Sequence, residues 1–156
     1  MAAATVYDKA KWHYEGDYPR GLSQVQAFVH TGMFLGWVID NGLYSEEFGE
    51  DCEEDIEAFR QRSMTGPEVY RRCDGVLADD MLSTTGNRFV RFYFDFKKGA
   101  YLRDYKELLA ARLPSLYHVL DTWENYDRLK ARIDQRFQEW KDSRGKKNGK
   151  KSPPKK

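Results

Sequence analysis

The sequence predicts a mainly α-helical fold: a single compact domain of about five to seven helices with an ordered aromatic N-terminal arm. Three observations carry this. From Val119 to Lys141, Trp123, Tyr126, Leu129, Ile133, Phe137 and Trp140 recur at steps of three and four, the period of a helix with one buried face. From Ser23 to Asn41, Val25, Phe28, Val29, Met33, Leu35, Trp37 and Ile39 form a helix apolar on several faces, as a central helix would be. No pair of segments offers a convincing strand partnership, and a lone strand cannot satisfy its backbone.

The remaining elements follow in order. Tyr7 to Pro19 has no helical period and reads as the arm, laying Trp12, Tyr14 and Tyr18 over the core. Ser23, three residues before Gln26, suggests a capping box, and Asn41-Gly42 closes the central helix. Gly32 and Gly36 leave a bare ridge on that helix, suited to close approach by another element. Ile56 and Phe59 give a short helix an inner face. Thr65 is placed to cap a helix carrying Pro67 at an early position and Val69, Tyr70 and Cys73 inward, which Asp74-Gly75 stops. A helical turn is expected near Ala78 to Leu82. The run RFVRFYFDF, residues 88–96, fits strand alternation and helical spacing alike, and is assigned to helix for want of a strand partner. Tyr101 to Arg112 is a further helix, broken at Leu113-Pro114-Ser115.

A chain of 156 residues with 40% hydrophobic and 15% aromatic content holds enough apolar mass for one packed core. The division expected is a helical domain at 1–140 and a flexible basic tail at 141–156. The formal net charge of +1 conceals that division: Lys141 to Lys156 carries +7, leaving an acidic body of −6. Such a body favours basic proteins over polyanions. No apolar run is long enough to span a membrane, and no signal-like apolar segment follows Met1. Cys52 and Cys73 read as reduced thiols, and a cytoplasmic location is expected.

Candidate chemistry is sparse. His13, His30 and His118 lie in no metal-binding spacing and read as packed, hydrogen-bonded groups. The competing arrangement is a metal-assisted hydrolase using His30 or His118 with Asp79 or Asp80, the acids standing in a short polar turn between Leu77 and Met81. Ser63, Ser83 and Ser115 lack a nucleophile-elbow context, and no glycine-rich phosphate loop is present. Arg88, Arg91, Lys97, Lys98 and Arg103 interleave with Phe92, Tyr93 and Phe94 as a stacking surface would, but the acidic body opposes a polyanion. The sharpest feature is the acidic stretch from Ser45 to Arg60, with eight carboxylates backed by Phe48, Ile56 and Phe59. Within it Glu47, Glu50, Asp51, Glu54 and Glu57 are the expected partner-binding residues, steering a basic protein.

The strings KWHYEGDYP (Lys11 to Pro19), AFVHTGMFLGWVIDNGL (Ala27 to Leu43), MTGPEVYRRCDGVLADDML (Met64 to Leu82) and LPSLYHVLDTWENYDRLKARIDQRF (Leu113 to Phe137) together resemble a small, poorly characterised family of bacterial soluble helical domains. The resemblance spans Tyr7 to Trp140 and assigns no activity to any residue. Small acidic proteins of this kind include immunity partners of bacterial toxins, an analogy of class alone. The expectation is therefore a non-catalytic protein-binding module, an immunity protein that occludes a basic toxin's active surface. No catalytic residue, cofactor, metal or specific nucleic acid is expected.

Overall fold

A central helix can be buried on all sides only if its neighbours come close enough to exclude water, and here they do. A computed structural model describes residues 4–150, with side chains described to residue 145. After a 3-10 turn at Gln24–Phe28, helix α2 runs Val29–Asp40, and 11 of its 12 residues are buried. Around it in chain order lie strand β1 (Val6–Lys9), α1 (Ala10–Tyr14), α3 (Glu46–Asp51), α4 (Glu53–Arg60), α5 (Gly66–Arg72), strand β2 (Val76–Ala78), α6 (Thr84–Phe89), α7 (Tyr101–Tyr105) and α8 (Trp123–Lys150). Two single π-helical turns, Val90–Phe94 and Lys106–Ala110, extend α6 and α7.

The closest helix pair is α2 with α5, and the bare ridge explains it. A Cβ on Gly32 would stand 2.4 Å from Pro67 Cα, and one on Gly36 would stand 2.9 Å from the Phe59 ring. The approach is reciprocal, since a Cβ on Gly66 would meet the Gly32 carbonyl oxygen at 2.4 Å. Helix α5 starts where its caps dictate: Thr65 Oγ1 accepts from the Glu68 amide while the Glu68 carboxylate accepts from the Thr65 amide. It ends at Asp74 and Gly75, both in the left-handed region.

Helix α8 covers another side of α2. Trp37 Nε1 donates to Asp134 at 2.8 Å and the Tyr126 hydroxyl donates to Asp40 at 2.5 Å. Its second anchor is Asp104 of α7, fully buried, which accepts from the Tyr93 hydroxyl at 2.7 Å, from Arg132 at 2.9 Å and from Arg136 at 2.8 and 2.9 Å. Burial pushes the Asp104 carboxyl up, but Arg136, Tyr93 and Arg132 outweigh it and hold the acid below its ordinary range.

The structure corrects the expected elements at several points. Eight α-helices are present among the described residues, more than the five to seven expected, partly because Cys52 divides the acidic stretch into α3 and α4. The N-terminal segment is not an irregular arm. Its first part is β1, paired antiparallel with β2 in the register Val6↔Ala78, Asp8↔Leu77 and Lys9↔Val76, and its second part is α1. The ladder satisfies the backbone that a lone strand would leave open. Trp12 is 54% exposed and does not cover the core, whereas Tyr14 stacks on Phe28. Ser23 caps the 3-10 turn by accepting from the Val25 amide, and the Gln26 side chain donates instead to the carbonyls of Tyr117 and Val119. The turn expected at Ala78 to Leu82 is the end of β2 followed by a 3-10 turn at Asp79–Met81. The helical assignment of 88–96 holds from Arg88 to Phe94. Helix α8 runs on past Lys141 to Lys150, and the last part of the expected tail, residues 151–156, lies outside the described residues.

Two expected outcomes follow from these contacts. Replacing Gly by Ala inside a helix ordinarily stabilises by about 1 kcal/mol. At Gly32 the sign reverses, because the new methyl meets backbone of α5, and Gly32→Ala is expected to cost about 2 kcal/mol, read from the urea unfolding midpoint. Asp104→Ala leaves two guanidiniums and a buried phenol without their acceptor and is expected to cost about 3 kcal/mol or more in the same measurement.

Candidate metal centre

Three chemistry-bearing side chains converge where β1, α1 and α2 meet. Asp8 stands on β1, whose pairing is irregular between Val6 and Asp8. A bulge re-aims a strand side chain, and Asp8 is only 1% exposed although its neighbours in the strand are half-buried. His13 comes from α1 and is half-buried, and His30 is the second residue of α2 and fully buried. One ligand atom from each of the three lies within 4.8 Å of the others.

Asp8 organises the cluster. Its Oδ1 accepts from His13 Nε2 at 2.7 Å, and its Oδ2 accepts from the Thr31 hydroxyl at 2.6 Å and faces His30 Nε2 at 3.7 Å. The far side of the His13 ring is fixed too, since Nδ1 lies 2.8 Å from the Tyr117 hydroxyl. The two imidazoles meet edge to face at 4.6 Å. Around them stand Phe96, Tyr117 and Tyr105, and the Tyr101 hydroxyl donates to the His30 carbonyl.

His30 is the anomaly. Both its ring nitrogens are buried and have no hydrogen-bond partner among the described residues. A native interior rarely tolerates this, because an unpaired buried polar atom costs about 1–3 kcal/mol. Burial pulls the imidazole down to about 4, against the pull of Asp8, with His13 adding to the depression. His30 is therefore neutral at pH 7, the form that ligates metals.

Two imidazoles and one carboxylate are a donor set suited to zinc or another divalent first-row metal, and three protein ligands leave a position for water. The 3.7 Å between His30 Nε2 and Asp8 Oδ2 is close to the roughly 3.4 Å that separates two ligands of a tetrahedral zinc ion. The His13–Asp8 contact at 2.7 Å is a hydrogen bond, so His13 can ligate through Nε2 only after giving up that proton.

A family model described as Domain of unknown function (DUF7832) matches residues 6–119. The chain belongs to that family. The DUF7832 match contains Asp8, His13, His30 and Tyr117, and ends before α8. No curated protein and no solved structure matches the chain.

Against this geometry the sequence reading divides. The expectation that every histidine is a satisfied packing group fails at His30, and the expectation of a non-catalytic chain is overturned by the buried Asp8–His13–His30 triad. The acids named as metal partners are elsewhere: Asp79 Oδ1 accepts from the Thr5 amide, and Asp80 is part of the same 3-10 turn. His118 bonds to the Ser115 hydroxyl at 2.9 Å. Sequence reasoning passed over Asp8 and His13 as a pair, because a separation of five crosses a strand-to-helix junction and matches no metal spacing. The signal available was a single acid between Met1 and Tyr14, with Val6, Tyr7 and Ala10 close by.

The acidic residues Glu47, Glu50, Asp51, Glu54 and Glu57 are all exposed on α3 and α4, with Phe48, Ile56 and Phe59 buried behind them. Of the three rings in the basic stretch, Tyr93 and Phe94 are buried and only Phe92 is exposed, leaving one ring where a stacking surface was expected. The two cysteines are free, and burial pushes the Cys73 thiol up to about 12. Such a thiol is a poor nucleophile at neutral pH.

The depressed His30 sets a pH dependence. Unfolded, the imidazole titrates near 6.5; folded, near 4. The stability that neutral His30 contributes is complete above pH 6.5 and is lost as pH falls toward 4, by about 3 kcal/mol in all. In metal-free protein, His30→Leu is expected to flatten that part of the stability profile, read as unfolding midpoints between pH 7.5 and 4.5.

Proposed function

We propose that the protein is a small metal-assisted hydrolase whose centre is Asp8, His13 and His30. The observation that carries this reading is the pair of unpartnered, buried His30 nitrogens beside a carboxylate and a second imidazole. A divalent ion bound there supplies a water activated at neutral pH. The chain's own groups do the rest: Thr31 holds Asp8 Oδ2, Tyr117 holds the His13 ring, and the surrounding aromatic side chains keep the local dielectric low. Were Nε2 of His13 to hold the ion, Nδ1 would carry the proton and donate to the Tyr117 hydroxyl, which would then act as acceptor.

The test is metal stoichiometry followed by activity. Calorimetric titration of chelator-treated protein with zinc is expected to give one ion per chain, with affinity reduced at least tenfold in His30→Gln and Asp8→Asn. Chromogenic phosphate, carboxylate and amide esters are expected to reveal one cleavage that EDTA abolishes and metal restores. Absence of zinc and cobalt binding at micromolar protein would sink the proposal.

The exposure of Glu47, Glu50, Asp51, Glu54 and Glu57 favours a second reading, a protein-binding face for a basic partner in the manner of a bacterial immunity protein. Reversal of Glu50 and Glu54 to Lys is then expected to abolish co-purification of a basic protein that wild type retains, with the thermal midpoint unchanged. Identical co-purification by both would dispose of this reading.

A further inference from the structure

Asp8 and His30 are buried and His13 is only partly exposed, so an aromatic wall stands between most of the candidate centre and solvent. Two parts of that wall face outward. On one side Tyr117 covers His13 and His30, with Tyr18 packed on it at 4.9 Å. That side is tied down, because the Tyr117 hydroxyl is bonded to His13 and Tyr18 donates to the Ser23 carbonyl. On the other side Phe96 lies 6.1 Å from His13 and 6.0 Å from His30, and a phenyl ring has no hydrogen bond to hold it. Phe96 also lines a surface cleft of about 330 Å³ with Val6, Tyr7, Arg91, Phe94 and Lys97. The same ring thus borders the cleft and both imidazoles.

The cleft has a charge preference. Arg91 and Lys97 are exposed at its rim and form no ion pair among the described residues. The one carboxylate lining it, Asp95, accepts from the backbone amides of Lys97 and Lys98 through Oδ1. Two cations against one carboxylate leave a net positive lining, which favours an anion.

We infer that this cleft is the entrance to the Asp8–His13–His30 centre, that Phe96 is its inner door, and that Arg91 and Lys97 select an anionic substrate. The inference rests on the metal reading above. Phe96 turning away opens the cleft onto both imidazoles without breaking a hydrogen bond, whereas entry past Tyr117 breaks the bond that orients His13. An anionic group at the rim stands beside Arg91 and Lys97 while the rest of the molecule reaches inward past Phe96.

The test uses the full chain loaded with cobalt(II). Cobalt release into excess EDTA is followed by visible absorption, and inorganic phosphate is titrated into the same protein by calorimetry. Phe96→Leu is expected to speed release at least fivefold and Phe96→Trp to slow it, while Tyr18→Leu stays within twofold of wild type. The opposite directions of the two Phe96 changes separate a door from general destabilisation, which would speed both. Phosphate is expected to give a binding heat, with the apparent affinity reduced at least threefold in Arg91→Gln/Lys97→Gln. Failure of wild type to bind cobalt overturns the metal reading itself. Cobalt bound normally, with release insensitive to Phe96 or quickened by Tyr18→Leu instead, overturns the entrance while leaving the centre in place. A phosphate response absent from wild type, or unchanged in the double variant, overturns the anionic selection.

Discussion

The enclosure of α2 is the constraint on which the rest of the structure depends. A helix with 11 of 12 residues buried has no solvent-facing side on which to place a polar group. Every polar atom it carries must be answered from a neighbouring element or remain unpaired at a cost. The two glycines allow α5 to approach one side, and α8 closes another through Trp37, Tyr126 and the Asp104 clamp. At its first turn α2 presents His30 and Thr31 to a third side, where β1 supplies Asp8. The location of the candidate centre is therefore a consequence of how completely the helix is wrapped.

The same enclosure explains the unequal treatment of the two imidazoles. His13 stands at the margin, where Asp8 and Tyr117 satisfy both of its nitrogens. His30 stands inside, and the acid beside it, Asp8, has committed one oxygen to His13 and shares the other with Thr31. A carboxylate has room for further donors, yet 3.7 Å is too long for a hydrogen bond to His30. A packed core with no other use for position 30 would hold a phenylalanine or leucine there at no such cost. The imidazole is the more expensive choice, and expense at a buried site is what directs attention to chemistry.

Local rules were readable in the sequence wherever the partners lie close together along the chain. The Thr65–Glu68 cap spans three residues, and the inward set of Ile56 and Phe59 lies within one helix, so both could be seen without the fold. The glycine ridge was equally visible, though not that Gly66 and Pro67 would seat on it. The ladder was hidden because β1 and β2 have four and three residues and are separated by the whole of α1 to α5. Strands that short carry almost no periodic signal. Missing the ladder meant missing Asp8, because that carboxylate is buried on the strand that pairs with β2. The π turns at Val90–Phe94 and Lys106–Ala110 were likewise beyond a reading by helical period, since they alter the register of side chains without altering composition.

That ladder also orders events during synthesis. Asp8 and His13 leave the ribosome ahead of the residues that hold them, since Asp8 is paired opposite Leu77 and His13 is held by Tyr117. Contacts so distant along the chain are slow to form, because closing the intervening loops costs entropy before any contact repays it. An emerging chain can build α2 to α5 among themselves while β1 waits for β2, and the His13 ring waits longer still for Tyr117. The centre is thus assembled from the oldest and some of the youngest parts of the family-matched region, and it exists only once nearly all of that region has folded.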